Sequence, residues 1–368
     1  MRVKYFFLLV VAPWLLFSDA AAATAPSPLL KAKQEAEARG AVFETSHEEI
    51  VAKAKKECNL RVLMSDESRT IENFVKAFKG KYPFINLSAR ETTRESFQNL
   101  ILQIKSGVEV NWDLVHTSPD LYKDYQPYVK RFDLLGMAEQ KVLAIPTRMI
   151  DQVNRSVAAV GSSLEVVAFN RCLLDPSKLP NTWEDFLKPE FKGKKFLVDV
   201  RPNLQTVMAA GIGEESMVNY SKKLAAQQPV WVRGQTRALT AMAAGEYALF
   251  FGASYAPAMR IIQKNPTGCL QVKMIEPIPV RIDRAHGVLE RASYPYAALL
   301  WLEFLAGPEA QSVLDQDEVR SSIFSPDSAL EKIVRGKRVW IRDLAAMDKT
   351  ERWMKMAVEA FGFPQAER

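Results

Sequence analysis

From Leu60 onward the chain repeats one short pattern, and that pattern decides its fold class: an apolar run, a polar loop, then apolar residues at helical spacing. Leu60 to Met64 reads as a buried strand and Ser65 to Arg69 as a loop. Ile71, Phe74, Val75 and Phe78 then mark a helix, with Thr70 as its N-cap and Gly80 and Pro83 as its stop. Ile85 to Ala89 and Trp112 to Val115 begin two further units, and Pro119 stands where proline favours a helix start. Later strands are expected at Leu164 to Phe169, Lys195 to Val200 and Tyr247 to Phe251, with a helix through Leu239, Met242 and Ala243 closed by Gly245. Strands alternating with helices in this way predict an α/β chain whose strands pair mostly in parallel.

The N-terminus bears on the compartment. A basic start at Arg2 and Lys4, an apolar run from Tyr5 to Phe17 and the small residues Ala20 to Ala25 read as an export signal over residues 1–25. The run is shorter than the ~20 residues a membrane span needs, so the mature chain is expected to be exported and soluble. Losing Arg2, Lys4 and Asp19 lowers the formal charge of +6 by one. With no basic block in the chain, that mild excess points to solubility and to attraction of an anionic ligand, and away from nucleic acid. Cys58, Cys172 and Cys269 cannot all pair with one another; one disulfide is allowed in this compartment, and the roles favoured are those of small buried hydrophobes. No CxxC or Cys/His pattern supports a metal site, and no cofactor is implied.

A mature chain of about 340 residues suits two lobes rather than one small domain. In such sheets ligands sit beyond the carboxyl ends of strands, where loops feed helix N-termini. The loops concerned carry Ser65, Ser68, Arg69, His116, Thr117, Ser118, Arg201, Gln205, Thr206, Arg233, Gln235, Thr236, Ser254 and Tyr255, with Arg237 close by. This is a set of hydrogen-bonding groups rather than a catalytic one. No GxSxG, HExxH, P-loop or GxGxxG stands in a strand-to-helix setting, so a binding protein is expected rather than an enzyme. Trp112 and Trp231 read as core.

Several segments carry a more specific signal. Val166-Val167-Ala168-Phe169-Asn170, Leu179 to Phe186 and Pro189 to Lys195 resemble the central signature of bacterial extracellular solute-binding proteins of ABC importers. Ala243 to Ala248 and Ala297 to Gln311 match two further segments of that family, whose ferric-ion branch of the type II group is the most similar. The resemblance implies two α/β lobes of the type II periplasmic binding (Venus-flytrap) kind, with mixed sheets flanked by helices. Residues 26–165 and 277–325 would form the first lobe and 166–276 the second, the chain crossing near Leu164 to Asn170 and returning near Val272 to Ile278. Residues 326–368, with Trp340, Ile341, Leu344, Trp353, Met354 and Met356, would be a helical C-terminal extension. The implied partners are a small-molecule ligand and an inner-membrane ABC permease, with the protein as a monomer.

Tyr255 separates the candidate ligands. In ferric relatives this loop carries adjacent tyrosines whose phenolates bind iron, since Fe(III) favours anionic oxygen and lowers phenol pKa values. Here Tyr255 stands between Ser254 and Ala256, and Ser65 to Thr70 holds no histidine. Glu67, Asp66 and Asp120 are acids in reach, with helix-capping as their other role. An organic solute bearing a phosphate, phosphonate, sulfonate or carboxylate group suits the arginines better, with Tyr255 stacking on it or hydrogen bonding to it. Ferric ion held by Tyr255 is the alternative, and a periplasmic sensor subunit or a secreted enzyme on the same fold are further ones.

Overall fold

The computed structural model describes residues 27–117, 121–265 and 267–363; the leader expected over residues 1–25 and the loop residues Ser118, Pro119 and Asp120 lie outside them. Helices α1 (Pro28–Ala38) and α2 (His47–Glu57) lead into β1 (Asn59–Met64), α3 (Ser68–Lys81), β2 (Asn86–Glu91), α4 (Arg94–Lys105) and β3 (Leu114–Thr117). Short helices α5 (Tyr122–Tyr125) and α6 (Leu134–Glu139) precede the long strand β4 (Ala158–Asn170). Next come β5 (Leu197–Asp199), α7 (Asn203–Ile212), α8 (Glu214–Ala226), β6 (Val230–Val232), α9 (Gln235–Ala243), β7 (Leu249–Ser254), α10 (Tyr255–Lys264) and β8 (Leu270–Lys273). The chain then returns through β9 (Ile278–Val288) to α11 (Pro295–Ala306), α12 (Pro308–Asp317), α13 (Ala329–Val334), β10 (Val339–Arg342) and α14 (Met347–Phe361).

Hydrogen bonding orders the strands β2-β1-β3-β9-β4-β7-β5-β6, with β10 on β9 and β8 on β4. Pairing is parallel within β2-β1-β3 and within β7-β5-β6, and antiparallel where β9 meets β3 and where β4 meets β9 and β7. The sheet is therefore mixed, with two parallel wings joined by the antiparallel β4–β9 pair. All thirteen residues of β4 are buried, because both of its faces are covered.

Three apolar cores explain why the elements lie where they do. On α3 the spaced residues Ile71, Phe74 and Phe78 are buried, and Phe74 and Phe78 meet the α11 residue Trp301 edge-on with ring centroids 6.3 and 4.9 Å apart. Such aromatic pairs contribute about 0.5–1.5 kcal/mol each beyond the area they bury. In the other wing Trp183, Phe186 and Phe196 cluster around Phe251 of β7. Along the middle, Leu164, Val166, Val280 and Ile282 share one face of the β4–β9 pair with Leu330 and Leu344. Period-two alternation puts Glu165 and Val167 of β4 on the opposite face.

The structure corrects three sequence expectations. Helix α3 begins at Ser68 behind an extended Glu67, so Thr70 is a buried first-turn residue and not the cap. Cys172 and Cys269 are not separate buried hydrophobes but a disulfide, brought within 5.4 Å Cα to Cα where the β4–β8 ladder ends at Asn170 opposite Leu270. Cys58 is exposed in a left-handed C-cap conformation. Nor is the C-terminal extension wholly helical, since Val339 to Arg342 pairs in parallel with Ile278 to Arg281. The alternation of Val339 and Ile341 with Trp340 and Arg342 suits a strand, and Trp340 seats on α7 so closely that a Cβ at Gly211 would run into its indole. Helix α14 then packs on α7 and α8, with Trp353, Ala357 and Phe361 buried. Among the described residues no helix is long and apolar enough to cross a membrane.

Candidate functional site

Strand registers define a gap. β3 ends at Thr117, opposite Ala285 of β9, which in turn faces Ala159 of β4. β7 ends at Ser254, opposite Glu165 of β4. The two carboxyl ends thus point toward each other along the β4–β9 pair from positions six residues apart on β4, roughly 20 Å at the ~3.3 Å rise of a strand. Parallel pairing brings the end of β1 beside that of β3, and the ends of β5 and β6 beside that of β7.

Helices α3, α7, α9 and α10 start from these ends with Glu67, Pro202, Gly234 and Ser254 at their N-caps, and none has a side-chain cap. Helices α1, α2 and α4 are capped by Ser27, Ser46 and Thr93, while α8, α11, α12 and α14, which do not start from these ends, also lack a side-chain cap. Uncapped first turns leave backbone N–H groups and the positive end of the helix dipole open to a ligand. Gly252 lies within β7 just before Tyr255: its φ is +66° and a Cβ there would lie 2.8 Å from Leu204 Cδ2, so glycine lets β7 lie against α7.

The sequence-derived candidates separate into groups. Ser65 is exposed at the end of β1, where its amide and hydroxyl lie 3.3 and 3.1 Å from Nδ1 of His116. His116 itself is buried, stacked on His286 at 4.5 Å and hydrogen bonded to Asp66 at 3.0 Å, so it underlies the loop instead of lining its surface. Ser68 bonds to Glu91, and Arg69 is turned out toward Asp317 of α12 at 3.6 Å. Thr117 closes β3, and Ser118 falls outside the described residues. Arg201, in the loop after β5, is folded back onto Asp199 at the end of that strand, Nε on Oδ1 and Nη2 on Oδ2 at 3.4 and 3.0 Å. Gln205, in the first turn of α7, is buried with an Nε2 that has no partner, while Thr206 accepts from Arg342 at 3.0 Å. Gln235 accepts from the Ser254 amide at 2.6 Å and Ser254 donates to Glu165 at 3.1 Å, which fixes the α9 and α10 starts to each other. Arg233, Thr236 and Arg237 line a separate open concavity of about 840 Å³ along α9. Tyr255 opens α10 half-buried against the central core, and burial alone raises its hydroxyl pKa.

Beneath the gap runs a chain of buried charges. Arg281 of β9 donates to Glu165 at 2.9 Å. Arg284 bridges Asp66 from the β1 loop and Glu318 after α12. Asp283 is partly buried, which works against its ionisation, yet Arg320 and Arg281 outweigh that and hold its pKa below the usual value. For Glu165 burial prevails over Arg281 and the Ser254 hydroxyl, and the pKa is raised. Glu165, Asp66 and Glu318 are tolerated as buried charges because each is paired with Arg281 or Arg284.

Two groups near the gap stand outside the candidates named from the sequence. Arg260 of α10 reaches Glu67 of the β1–α3 loop at 2.5 Å, joining the two sets of strand ends. Glu165 is an acid inside the apolar run from Leu164 to Phe169, and that contrast is the mark by which it was legible. Among the described residues no group of three or more His, Cys, Asp or Glu side chains is arranged to hold a metal ion.

Comparison with known proteins agrees with this geometry. The profile of a family described as bacterial extracellular solute-binding protein matches residues 125–349. No curated protein sequence matches the chain. Of solved structures, apo ferric ion-binding protein A of Pasteurella haemolytica is 16% identical, covers 84% of this chain and 100% of its own, and superposes with a TM-score of 0.64. The Trichodesmium protein IdiA (FutA), in complex with iron and citrate, is 15% identical over 82% of this chain and 99% of its own, with a TM-score of 0.67. A putative extracellular solute-binding protein of Bordetella parapertussis is 12% identical over 83% and 99%, with a TM-score of 0.66. At these identities the likeness establishes the fold, a type II periplasmic binding fold with a C-terminal helix.

Proposed function

The chain belongs to the bacterial extracellular solute-binding proteins, and from that premise we infer that it captures a small anionic organic solute in the periplasm and delivers it to an ABC permease. The solute would carry a phosphate, phosphonate, sulfonate or carboxylate group. One observation carries this reading: the uncapped N-termini of α3, α7, α9 and α10 open at strand ends that face each other across the β4–β9 pair. An anion entering there meets several N–H donors and positive helix ends.

The two parallel wings would act as lobes, residues 26–165 and 277–325 against 166–276, with the β4–β9 pair as the hinge. A solute that touches both wings is bound more tightly in the closed form than in the open one, and that difference is what drives closure. The closed form is then the shape a permease can distinguish from the empty one.

Ferric ion is the second reading. Tyr255 at the start of α10 favours it, as do the iron-binding proteins among the structural neighbours. Against it stands the setting of Tyr255, which is flanked by Ser254 and Ala256 and so has no adjacent tyrosine to share the ion. The two separate by calorimetry on mature protein stripped of ligand. Saturable 1:1 binding of an organic anion without metal supports the anionic reading, whereas binding of ferric ion alone replaces it.

A further inference from the structure

The arginines around the gap differ in which edge of the guanidinium is in use. A guanidinium offers Nε–H and Nη2–H side by side along one edge, a fork that matches the two oxygens of a carboxylate, phosphonate or sulfonate. In Arg201 that edge is filled by Asp199, through Nε and Nη2 together. In Arg69 the Nε faces Asp317 at 3.6 Å, on a side chain 84% exposed. Arg260 is different. Its Nη1 donates to Glu67 Oε1 at 2.5 Å, and its Nε, like those of Arg284 and Arg320, is buried with no hydrogen-bond partner. No protein acceptor among the described residues occupies the edge formed by Nε and Nη2, although the residue is anchored from across the gap.

A buried N–H without a partner is a cost to the folded protein that an acceptor removes. Glu67 caps nothing with its side chain, although it is the N-cap residue of α3. Its carboxylate is thus free to hold Nη1. Held there, the guanidinium is fixed between the α3 start and α10, the helix that Tyr255 opens. Such fixing lowers the rotamer entropy an arginine would otherwise lose on gripping a ligand.

We propose that Arg260 grips the anionic group of the solute bidentately through Nε and Nη2, and that Glu67 is the positioning residue that presents it. This rests on the anionic-solute reading and names the group that reads the charge. The solute it selects carries a planar or tripodal oxyanion with two oxygens in reach of one edge, and not a halide or a metal ion alone.

The test combines two measurements on the mature full-length chain with four probes: inorganic phosphate, methylphosphonate, ethanesulfonate and succinate. Calorimetry compares wild type with Arg260→Lys, which keeps the charge and loses the fork, and with Glu67→Gln. Arginine Nε–H NMR of the wild type gives a readout that does not depend on any variant's folding, the Arg260 signal being assigned by its absence in Arg260→Lys or Arg260→Gln. For an anion that binds the wild type, the Arg260 Nε–H resonance moves on titration. Arg260→Lys then loses affinity by about tenfold or more, and Glu67→Gln by about two- to fivefold while still showing the resonance shift. An anion that binds without moving that resonance, and binds Arg260→Lys equally well, overturns the assignment and leaves the anionic reading standing. If none of the four binds the wild type, the anionic reading fails and the assignment fails with it.

Discussion

His116 offers a prediction in which burial can be weighed directly. Burial lowers its pKa from 6.5 to about 4; the acids Asp283 and Glu318 oppose that shift and Arg320 adds to it. The groups in contact with the ring are the Ser65 amide and hydroxyl, the Asp66 carboxylate and the stacked imidazole of His286. An unfolded chain takes up this proton near pH 6.5, but the folded protein does so only near pH 4, so between these values the unfolded state holds more protons. The stability is fully present above about pH 6.5 and falls as the pH drops through the window. At 1.36 kcal/mol per pH unit the full window amounts to about 3 kcal/mol, of which about 2 kcal/mol is gone by pH 5. Replacing His116 with Gln removes this term while keeping a polar group of similar reach. Urea unfolding at pH 7.5 and pH 5.0 should show the wild type losing about 2 kcal/mol more than His116→Gln over that interval. An equal loss in both proteins would mean that His116 titrates alike folded and unfolded, and would refute the burial argument.

Other consequences can be measured separately. Tyr255→Phe should weaken solute binding by about 1 kcal/mol, roughly fivefold, without changing the urea midpoint; unchanged affinity by calorimetry would place the hydroxyl outside the site. Replacing Cys172 and Cys269 with Ser opens a loop closed across a separation of 97 residues and should cost up to about 4–5 kcal/mol in denaturant unfolding, whereas Cys58→Ser should leave stability within about 0.5 kcal/mol. Gly211→Leu drives a side chain into Trp340 and should destabilise by about 1–3 kcal/mol, read as a lowered urea midpoint and faster proteolysis near the C-terminus. Saturating solute should also reduce the radius of gyration in X-ray scattering, and an identical radius would argue against hinge closure.

The parts legible in the sequence are those set by local pattern. Ile71, Phe74 and Phe78 announced α3 because one helix face carries its own signal, and Leu60 to Met64 announced β1 in the same way. Segments such as Val166 to Asn170 and Ala297 to Gln311 carried the family, and with it the fold class. What escaped depends on contacts distant in sequence. Val339 to Arg342 is a strand only because Ile278 to Arg281 offers it an edge, and without that edge it reads as part of a helical tail. Cys172 and Cys269 meet because β8 lies beside β4. His116 resembled a ligand at a strand end, yet the pairing of β3 with β9 sets it against His286 and buries it. Arg260 carried no sequence expectation, since only the approach of the β1–α3 loop from the other wing brings Glu67 to it.

The central claim is that the gap between facing strand ends holds an anionic organic solute. Native mass spectrometry with metal analysis, on mature protein prepared from the periplasm without refolding, tests it most directly. The account predicts a retained organic mass in 1:1 stoichiometry, bearing phosphorus, sulfur or a carboxylate, with no stoichiometric metal. Stoichiometric iron without such a mass would contradict it and make Tyr255 an iron ligand.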